Sequence, residues 1–499
     1  MSMMPVTAQT GIAVMVGIII GHSLILMGQR RWFSLDPLNA FWAGALVVYV
    51  LQPIEYWRVF LAWQGPATVV ATAWWVTLAV LMVAIGYSTS IGVQLGRAIP
   101  KPPARLHPNR LFIGSLMLIG LGLGGYAYQV ASAGGLRAWA AVARGGTDWA
   151  GVSVYIANLA DLVPLGAGLA LFHVELHSVP RYRRYLAWIL SAIIWFWFLY
   201  LGSRSRIISQ SLMMLAAYYL PRRRQPRLIL LAVGFFAILL VVNFQAAYRN
   251  QFKDFSLNLS TLNWEDAQYD VIPVLGGGPS SADDSSVSRG IEYNCVMTAV
   301  ALVPATVPYN YGYPFLEILT RWIPRAFWPN KLYPGLEAVF PILYKGGLSD
   351  TWVKTSKRPL LMGPAFTFVG YYWALGGPLA LILAGLLTGV MFRAMRTLYD
   401  RNPCSEGDTI IYANIIICGF VEAAATPLSW VYSLPFTLIP LLLLFRFCRR
   451  PPARAITGSA WRSAAKGAAT ADLRTAWLAG GPSRSASRPG RGFVGRKES

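Results

Sequence analysis

Charge is scarce in this chain. Only 13% of its 499 residues are Asp, Glu, Lys or Arg, about half the roughly 25% of an average soluble domain. Acids are scarcest, 21 against 43 basic residues. The four cysteines, Cys295, Cys404, Cys418 and Cys448, form no CxxC pair, which argues against a disulfide framework or a cysteine metal site. The four histidines, His22, His107, His173 and His177, all precede residue 178, so histidine catalysis in the later half has no support. His173 and His177 are spaced to share a helix face and a metal, but no third ligand lies nearby, and we expect no metal and no cofactor. "GGGPSSADDSS" (Gly276 to Ser286) lacks the Gly-Lys-Ser/Thr ending of a phosphate loop and reads as a linker. Repeats of solenoid period are absent, as is an inverted repeat of the transporter kind.

What is present is hydrophobic. The chain is 55% apolar, and many runs reach the roughly 20 residues that cross a bilayer as a helix. The fold class expected is therefore an all-α polytopic membrane protein. The first run (Gly11 to Met27) has no basic residue before it and no small-residue cleavage site after it, so it reads as a retained span.

Basic clusters follow every second run: Arg30-Arg31; Arg97, Lys101, Arg105 and Arg110; Arg181, Arg183 and Arg184; Arg222 to Arg224; Arg393, Arg396 and Arg401; Arg446, Arg449 and Arg450. Placing all of them in the cytoplasm satisfies the positive-inside rule. It gives about 11 transmembrane helices, near 11–28, 38–54, 66–88, 111–130, 151–173, 186–201, 206–220, 228–246, 374–392, 409–426 and 429–445. Four parts result: an N-terminal bundle (1–247), a large outer loop (248–360), C-terminal helices (361–446) and a tail (447–499). Gly363 to Val390 fits either one tilted helix or a loop followed by a helix. The loop from Tyr248 to Pro359 holds ten basic and ten acidic residues, so the net charge of +22 is not a nucleic-acid surface. From Arg446 on there are twelve basic and two acidic residues among Ser, Gly, Ala and Pro, the composition of a disordered tail held near anionic lipid.

Three stretches on the expected outer side carry chemistry. In "LYLGSRSRIISQSL" (Leu199 to Leu212), Arg204 and Arg206 follow a Gly-Ser turn at the membrane surface. They serve either as snorkelling anchors or as a bidentate grip on phosphate. In "SRGIEYN" (Ser288 to Asn294), Arg289 and Glu292 are spaced to share a helix face, as a surface ion pair or as a carboxylate held for general-base work. The apolar run after it, containing Pro304 and Pro308, suits a re-entrant or surface-lying helix. In "LTRWIPRAFWPNKLYPG" (Leu319 to Gly335), Arg321, Arg325 and Lys331 alternate with Trp322, Phe327, Trp328 and Tyr333 on a backbone stiffened by prolines. Rings suit sugar faces and the interface, cations suit phosphate. Asp161 and Glu422 fall inside expected spans, where acids are costly and often functional. The short first outer loop, "IEYWRVF", offers one acid, Glu55.

With "GSRSR", "IPRAFWPNK" and the glycine- and aromatic-rich "GPAFTFVGYYWALGGPLALILAGLLTG" (Gly363 to Gly389) assembled, the chain resembles the oligosaccharide repeat unit polymerases, the Wzy-type family of O-antigen and exopolysaccharide polymerases. The resemblance covers most of the chain up to about Phe445. It implies a membrane glycosyltransferase (GT-C-like) architecture in the inner membrane, with the large loop periplasmic and the C-terminus cytoplasmic. It implies transfer of a glycan from polyprenyl diphosphate to a hydroxyl of the next lipid-linked unit. Donor and acceptor are then both polyprenyl-diphosphate-linked oligosaccharides, with a flippase and a chain-length regulator as protein partners. Matched to that reaction, Arg204, Arg206, Arg289, Arg321, Arg325 and Lys331 would hold diphosphate, Trp328 and Tyr333 would orient sugars, and Glu292, Glu422 or Glu317 would take the proton. The alternatives are an O-antigen ligase or other lipid-linked glycosyltransferase, and a lipid-linked glycan flippase or transporter.

Overall fold

The computed structural model describes residues 4–135, 139, 159–200, 204–227, 229–231, 233–234, 236–237, 292–311, 342, 345, 366–402, 404–424 and 429–449, with 200, 204, 205 and 429–436 described by backbone alone. Among these residues every regular element is a helix. In chain order they are α1 (Val6–Gly28), α2 (Pro37–Leu46), a π-helical turn (Val47–Leu51), α3 (Gln52–Ser88), α4 (Ser90–Ala98), α5 (Pro108–Ser132) and α6 (Leu162–Leu176). Then follow α7 (Arg181–Tyr200), α8 (Arg204–Tyr219), α9 (Glu292–Leu302), α10 (Phe368–Arg401), α11 (Glu406–Ala424) and α12 (Ser429–Cys448). Among the described residues five helical runs, Val6–Gly28, Pro37–Ser88, Pro108–Ser132, Phe368–Arg401 and Glu406–Ala424, are long and apolar enough to cross a membrane. The protein is an α-helical, multi-pass membrane protein. Other expected spans coincide with shorter helices or, like 228–246, lie largely outside the described residues.

Two of those runs fold back on themselves. A straight helix over 37–88 would part its ends by about 78 Å. Yet the Tyr87 hydroxyl donates to Asp36 Oδ2 at 2.7 Å. The reversal lies at Gly65, whose φ of 76° is left-handed and suits glycine, with Pro66 beside it to end the helical ladder. Likewise a straight helix would hold Phe368 and Phe392 about 36 Å apart, but their rings lie 5.5 and 5.9 Å from that of Phe41. Here the break is Gly376-Gly377-Pro378, with Gly377 at φ 62°. The described part of Gly363 to Val390, from 366 on, is therefore not a single tilted helix. It contains a short arm, 368–375, buried throughout, and then a long one.

At one end of the bundle the loops between helices meet. The Arg401 guanidinium takes the carbonyls of Gly96, Ile99 and Pro100 and reaches Asp408 Oδ1 at 3.3 Å. Arg223 donates to Tyr399 O, and Arg110 to Phe447 O. Leu106 N donates to Glu406 Oε2, and His107 N to Cys448 O. Arginines thus satisfy carbonyls left open where helices end. The basic clusters lie together at this end, as the orientation rule requires of loops on one side. Asp36 belongs here too. Its carboxylate caps α2 by accepting from Leu38 N at 2.9 Å. Burial pushes this carboxyl above its usual range, against the pull of Arg396, the Leu38 and Tyr87 hydrogen bonds and Arg393.

Close backbone packing joins α3 to α10. A Cβ on Gly86 would lie 2.2 Å from Leu386 O, and one on Gly389 2.2 Å from Val83 O. Gly385 and Gly389 form a small-xxx-small pair that lets two backbones touch, the usual source of helix affinity in lipid. Gly389→Leu is expected to remove monodisperse protein from size-exclusion chromatography in mild detergent, because the clash is with backbone and overpacking of even ordinary cores costs about 1–3 kcal/mol. Gly17→Leu, where nothing lies within 4 Å, should leave the elution profile and melting temperature unchanged. Normal behaviour of the Gly389 variant would refute this account of the interface.

Candidate functional site

The run "VVYVL" forms the π-helical turn, a widened turn that often marks a functional site. It carries Tyr49, which is buried. The Tyr49 hydroxyl accepts from Val369 N and donates to Ala423 O, both at 3.3 Å. It therefore meets one open backbone group at the start of the short arm 368–375 and another at the end of α11. One turn along that arm, the Tyr372 hydroxyl donates to Glu422 Oε1 at 3.2 Å. Glu422 is 2% exposed, so its carboxylate lies inside the bundle.

Helix α9 packs beside the same arm. Residues 293–299 are buried on all faces, as in a core helix. The two run side by side in one direction: Gly370 faces Val296, Trp373 Nε1 donates to Val303 O at 3.1 Å, and Asn310 N donates to Ala374 O. At the start of α9, Gln52 uses both ends of its carboxamide. Its Nε2 donates to Glu292 Oε2 at 2.6 Å, and its Oε1 accepts from Tyr293 N at 3.0 Å. Near the Gly65 turn, Gln64 Nε2 donates to Asn294 Oδ1 and Thr298 Oγ1. A carboxylate in the first turn of α9 is favoured by the helix dipole, and the glutamine fixes its direction. Glu55 lies one turn beyond Gln52, and its Oε1 is buried without a hydrogen-bond partner. The next residue, Tyr56, leaves helical geometry at φ −107°, ψ 16°.

A second polar group surrounds Arg206. Its Nη2 donates to Asp161 Oδ1 at 3.1 Å and its Nη1 to the Tyr126 hydroxyl at 3.0 Å. The guanidinium also stands 5.8 Å from the Phe198 ring. Trp139 and Trp197 stack at 6.0 Å and meet Tyr126 edge-on. With the side chains of Arg206 and Asp161 40% and 32% exposed, the pair is a partly accessible one of modest energetic worth. Helix α5 starts at the basic end, so Tyr126, about 27 Å along it, lies toward the opposite end.

Sequence reasoning named Glu292, Glu422 and Arg206 as site residues. Glu292 and Glu422 both face the α2–α3 strip around Tyr49 and Gln52. Arg206 belongs to the second group, where its charge is matched by Asp161. Arg204 begins α8. Glu317, Arg289, Arg321, Arg325, Lys331, Trp328 and Tyr333 lie outside the described residues. Tyr49, Gln52 and Gln64 were missed. Their only signal is polarity in an apolar stretch, "VVYVLQPIEYWRVFLAWQGP" (Val47 to Pro66).

Tyr49→Phe keeps the ring and removes the hydroxyl, leaving Val369 N–H and Ala423 C=O short of a partner. A buried unsatisfied polar group costs about 1–3 kcal/mol, so a melting point several degrees lower in detergent is expected. An unchanged melting point would mean that the hydroxyl caps nothing. Compared with protein-family models, curated proteins and solved structures, the chain matches none.

Proposed function

We propose that this protein is a metal-independent glycosyltransferase that polymerises polyprenyl-diphosphate-linked oligosaccharide repeat units at the outer face of the bacterial inner membrane. The observation that carries the reading is Glu292. It is a carboxylate held at 2.6 Å by Gln52, away from the end where the basic clusters gather. Acids inside a membrane bundle are costly and mark function by default. In sequence it precedes the cation- and ring-bearing stretch Arg321 to Tyr333, whose groups suit a ligand part sugar, part phosphate and part lipid.

In this reaction an acceptor sugar hydroxyl attacks the anomeric carbon of the donor glycan. The new glycosidic bond forms as the bond to diphosphate breaks, and polyprenyl diphosphate departs with the electron pair. A carboxylate takes the hydroxyl proton. Arg204, Arg206, Arg289, Arg321, Arg325 and Lys331 stabilise the charge on the leaving group, while Trp328 and Tyr333 orient sugars. Glu422 and Glu317 are the other candidates for the proton. A second reading, movement of the lipid-linked glycan across the membrane, draws support from the short buried helices α9 and 368–375, since transporters bind substrates at broken helices.

Deleting the gene in the bacterium that carries it is expected to remove long glycan chains from gels while single lipid-linked repeat units still reach the outer face. Long chains that persist on the lipid carrier would indicate ligation. Repeat units that never reach the outer face would indicate transport or an earlier step. In complementation, Arg204→Ala and Arg325→Ala are each expected to abolish chain growth at unchanged protein level, and normal polymer would remove that arginine from the site.

A further inference from the structure

Asp161 stands at the N-cap position of α6, yet its side chain makes no cap hydrogen bond. Asp is among the best N-cap residues, so this carboxylate is turned to another use. It meets Arg206, in the first turn of α8, where a cation sits at the unfavourable end of the helix dipole. Stability explains neither placement, since an ion pair 40% and 32% exposed contributes little. Helices α6 and α8 run side by side in one direction: Asp161 pairs with Arg206, Gly168 faces Met213, and Glu175 pairs with Arg222. Both begin here, so two positive helix ends and a guanidinium gather in a setting that attracts phosphate. A guanidinium has five N–H groups, and Arg206 uses one from each Nη, on Asp161 and Tyr126. The others remain for phosphate oxygens. A carboxylate in the same place repels a bare phosphate. The combination fits a ligand in which a phosphate adjoins a group rich in hydroxyls.

Two further features point the same way. Trp197, half-buried, lies nearly parallel to the buried Trp139, whose Nε1 donates to Gln129 Oε1 at 3.0 Å. A ring fixed in this way offers a platform for a sugar face. Gln210 lies one turn beyond Arg206 on the same face of α8. It is 1% exposed, and among the described residues both ends of its carboxamide lack a hydrogen-bond partner. Buried polar groups are almost always satisfied. A polar ligand that reaches one turn past Arg206 supplies the missing partner.

We infer that the junction of sugar and diphosphate in the lipid-linked glycan binds where α6 and α8 begin. The diphosphate lies on Arg206 and Gln210, and the sugar joined to it is read by Asp161 and Trp197. The choice of ligand rests on the glycosyltransferase reading. Asp161 accepts from a hydroxyl of that sugar while Trp197 covers one of its faces. Asp161 is thus a specificity-determining residue, favouring a diphosphate that carries a sugar over one that does not. It takes no proton in the transfer, and Glu292 keeps that role.

The test uses the full chain in mild detergent, offered equal amounts of polyprenyl diphosphate and of the same lipid carrying the repeat unit. The glycan-bearing lipid is extracted from cells lacking the gene. Native mass spectrometry identifies each bound lipid by mass, and the ratio of the two does not depend on how much of a variant is folded. Wild-type protein is expected to prefer the glycan-bearing lipid by about tenfold or more, the worth of one hydrogen bond to a charged group. Asp161→Asn keeps the size and removes the charge, and should bring the ratio to about one. A merely structural role would leave the ratio unchanged. Trp197→Ala should also lower the ratio, and it carries the test if no folded Asp161→Asn is obtained. Arg206→Gln should reduce binding of both lipids. Equal binding of the two lipids by wild-type protein overturns the site, as does a wild-type ratio retained in Asp161→Asn or, failing that variant, in Trp197→Ala. The glycosyltransferase reading is checked separately, by incubating wild-type protein in proteoliposomes with the glycan-bearing lipid. Absence of lengthened glycan would remove that reading even where the binding preference is found.

Discussion

The Tyr49 hydroxyl is the contact on which the interior of this bundle depends. A helix that starts or stops at membrane depth exposes backbone groups that lipid cannot satisfy, at several kcal/mol each by transfer estimates. The arm 368–375 starts in such a place, among buried residues, and α11 ends close by. One hydroxyl serves both, accepting from Val369 N and donating to Ala423 O. It can do so because the π-helical turn sets Tyr49 off the ordinary helical stagger. Once the arm is anchored, α9 has a wall to pack on, and Gln52 meets the first turn of α9. The site carboxylates are consequences of how two short helices are accommodated.

The opposite problem is solved at the basic end. Charges that set orientation sit on loops, and loops supply the helix ends that need partners. Arg401 shows both jobs in one side chain, closing the carbonyls at the end of α4 while reaching the start of α11. The Arg223 guanidinium stacks 3.6 Å over Tyr399 and bonds its carbonyl. Several of the described arginines, Arg401, Arg223 and Arg110 among them, are therefore committed within the fold.

The sequence made some of this legible and hid the rest for identifiable reasons. Apolar runs and basic clusters marked where helices lie and which loops share an end. Gly65-Pro66 and Gly376-Gly377-Pro378 are breaks that glycine conformation and proline chemistry announce. The pairing of Gln52 with Glu292 and of Tyr49 with Val369 and Ala423 was not legible, because partners hundreds of residues apart leave no local pattern. Arg206 looked like an open cation because Asp161, its partner, sits at the end of a different span. The Gly385 and Gly389 pair was present in the sequence, but which helix it met depended on the fold-back of α3.

The packing also bears on enzyme against transporter. Alternating access needs one part of a bundle to rock against another around the substrate. Here the strip with Gln52 and Glu55 belongs to α3, and the wall with Tyr372 belongs to α10. The arms that follow their breaks touch backbone to backbone at Gly86 and Gly389, with no room even for a methyl group, while the arms that carry Gln52 and Tyr372 are joined through the Tyr49 hydroxyl. Interfaces of that kind hold one register, since sliding or parting loses the close approach that made them favourable. A transferase benefits from such rigidity, because carboxylate and acceptor must be held within fractions of an ångström through the reaction. A carrier would need its moving boundary elsewhere, between helices that share neither Tyr49 nor this glycine contact.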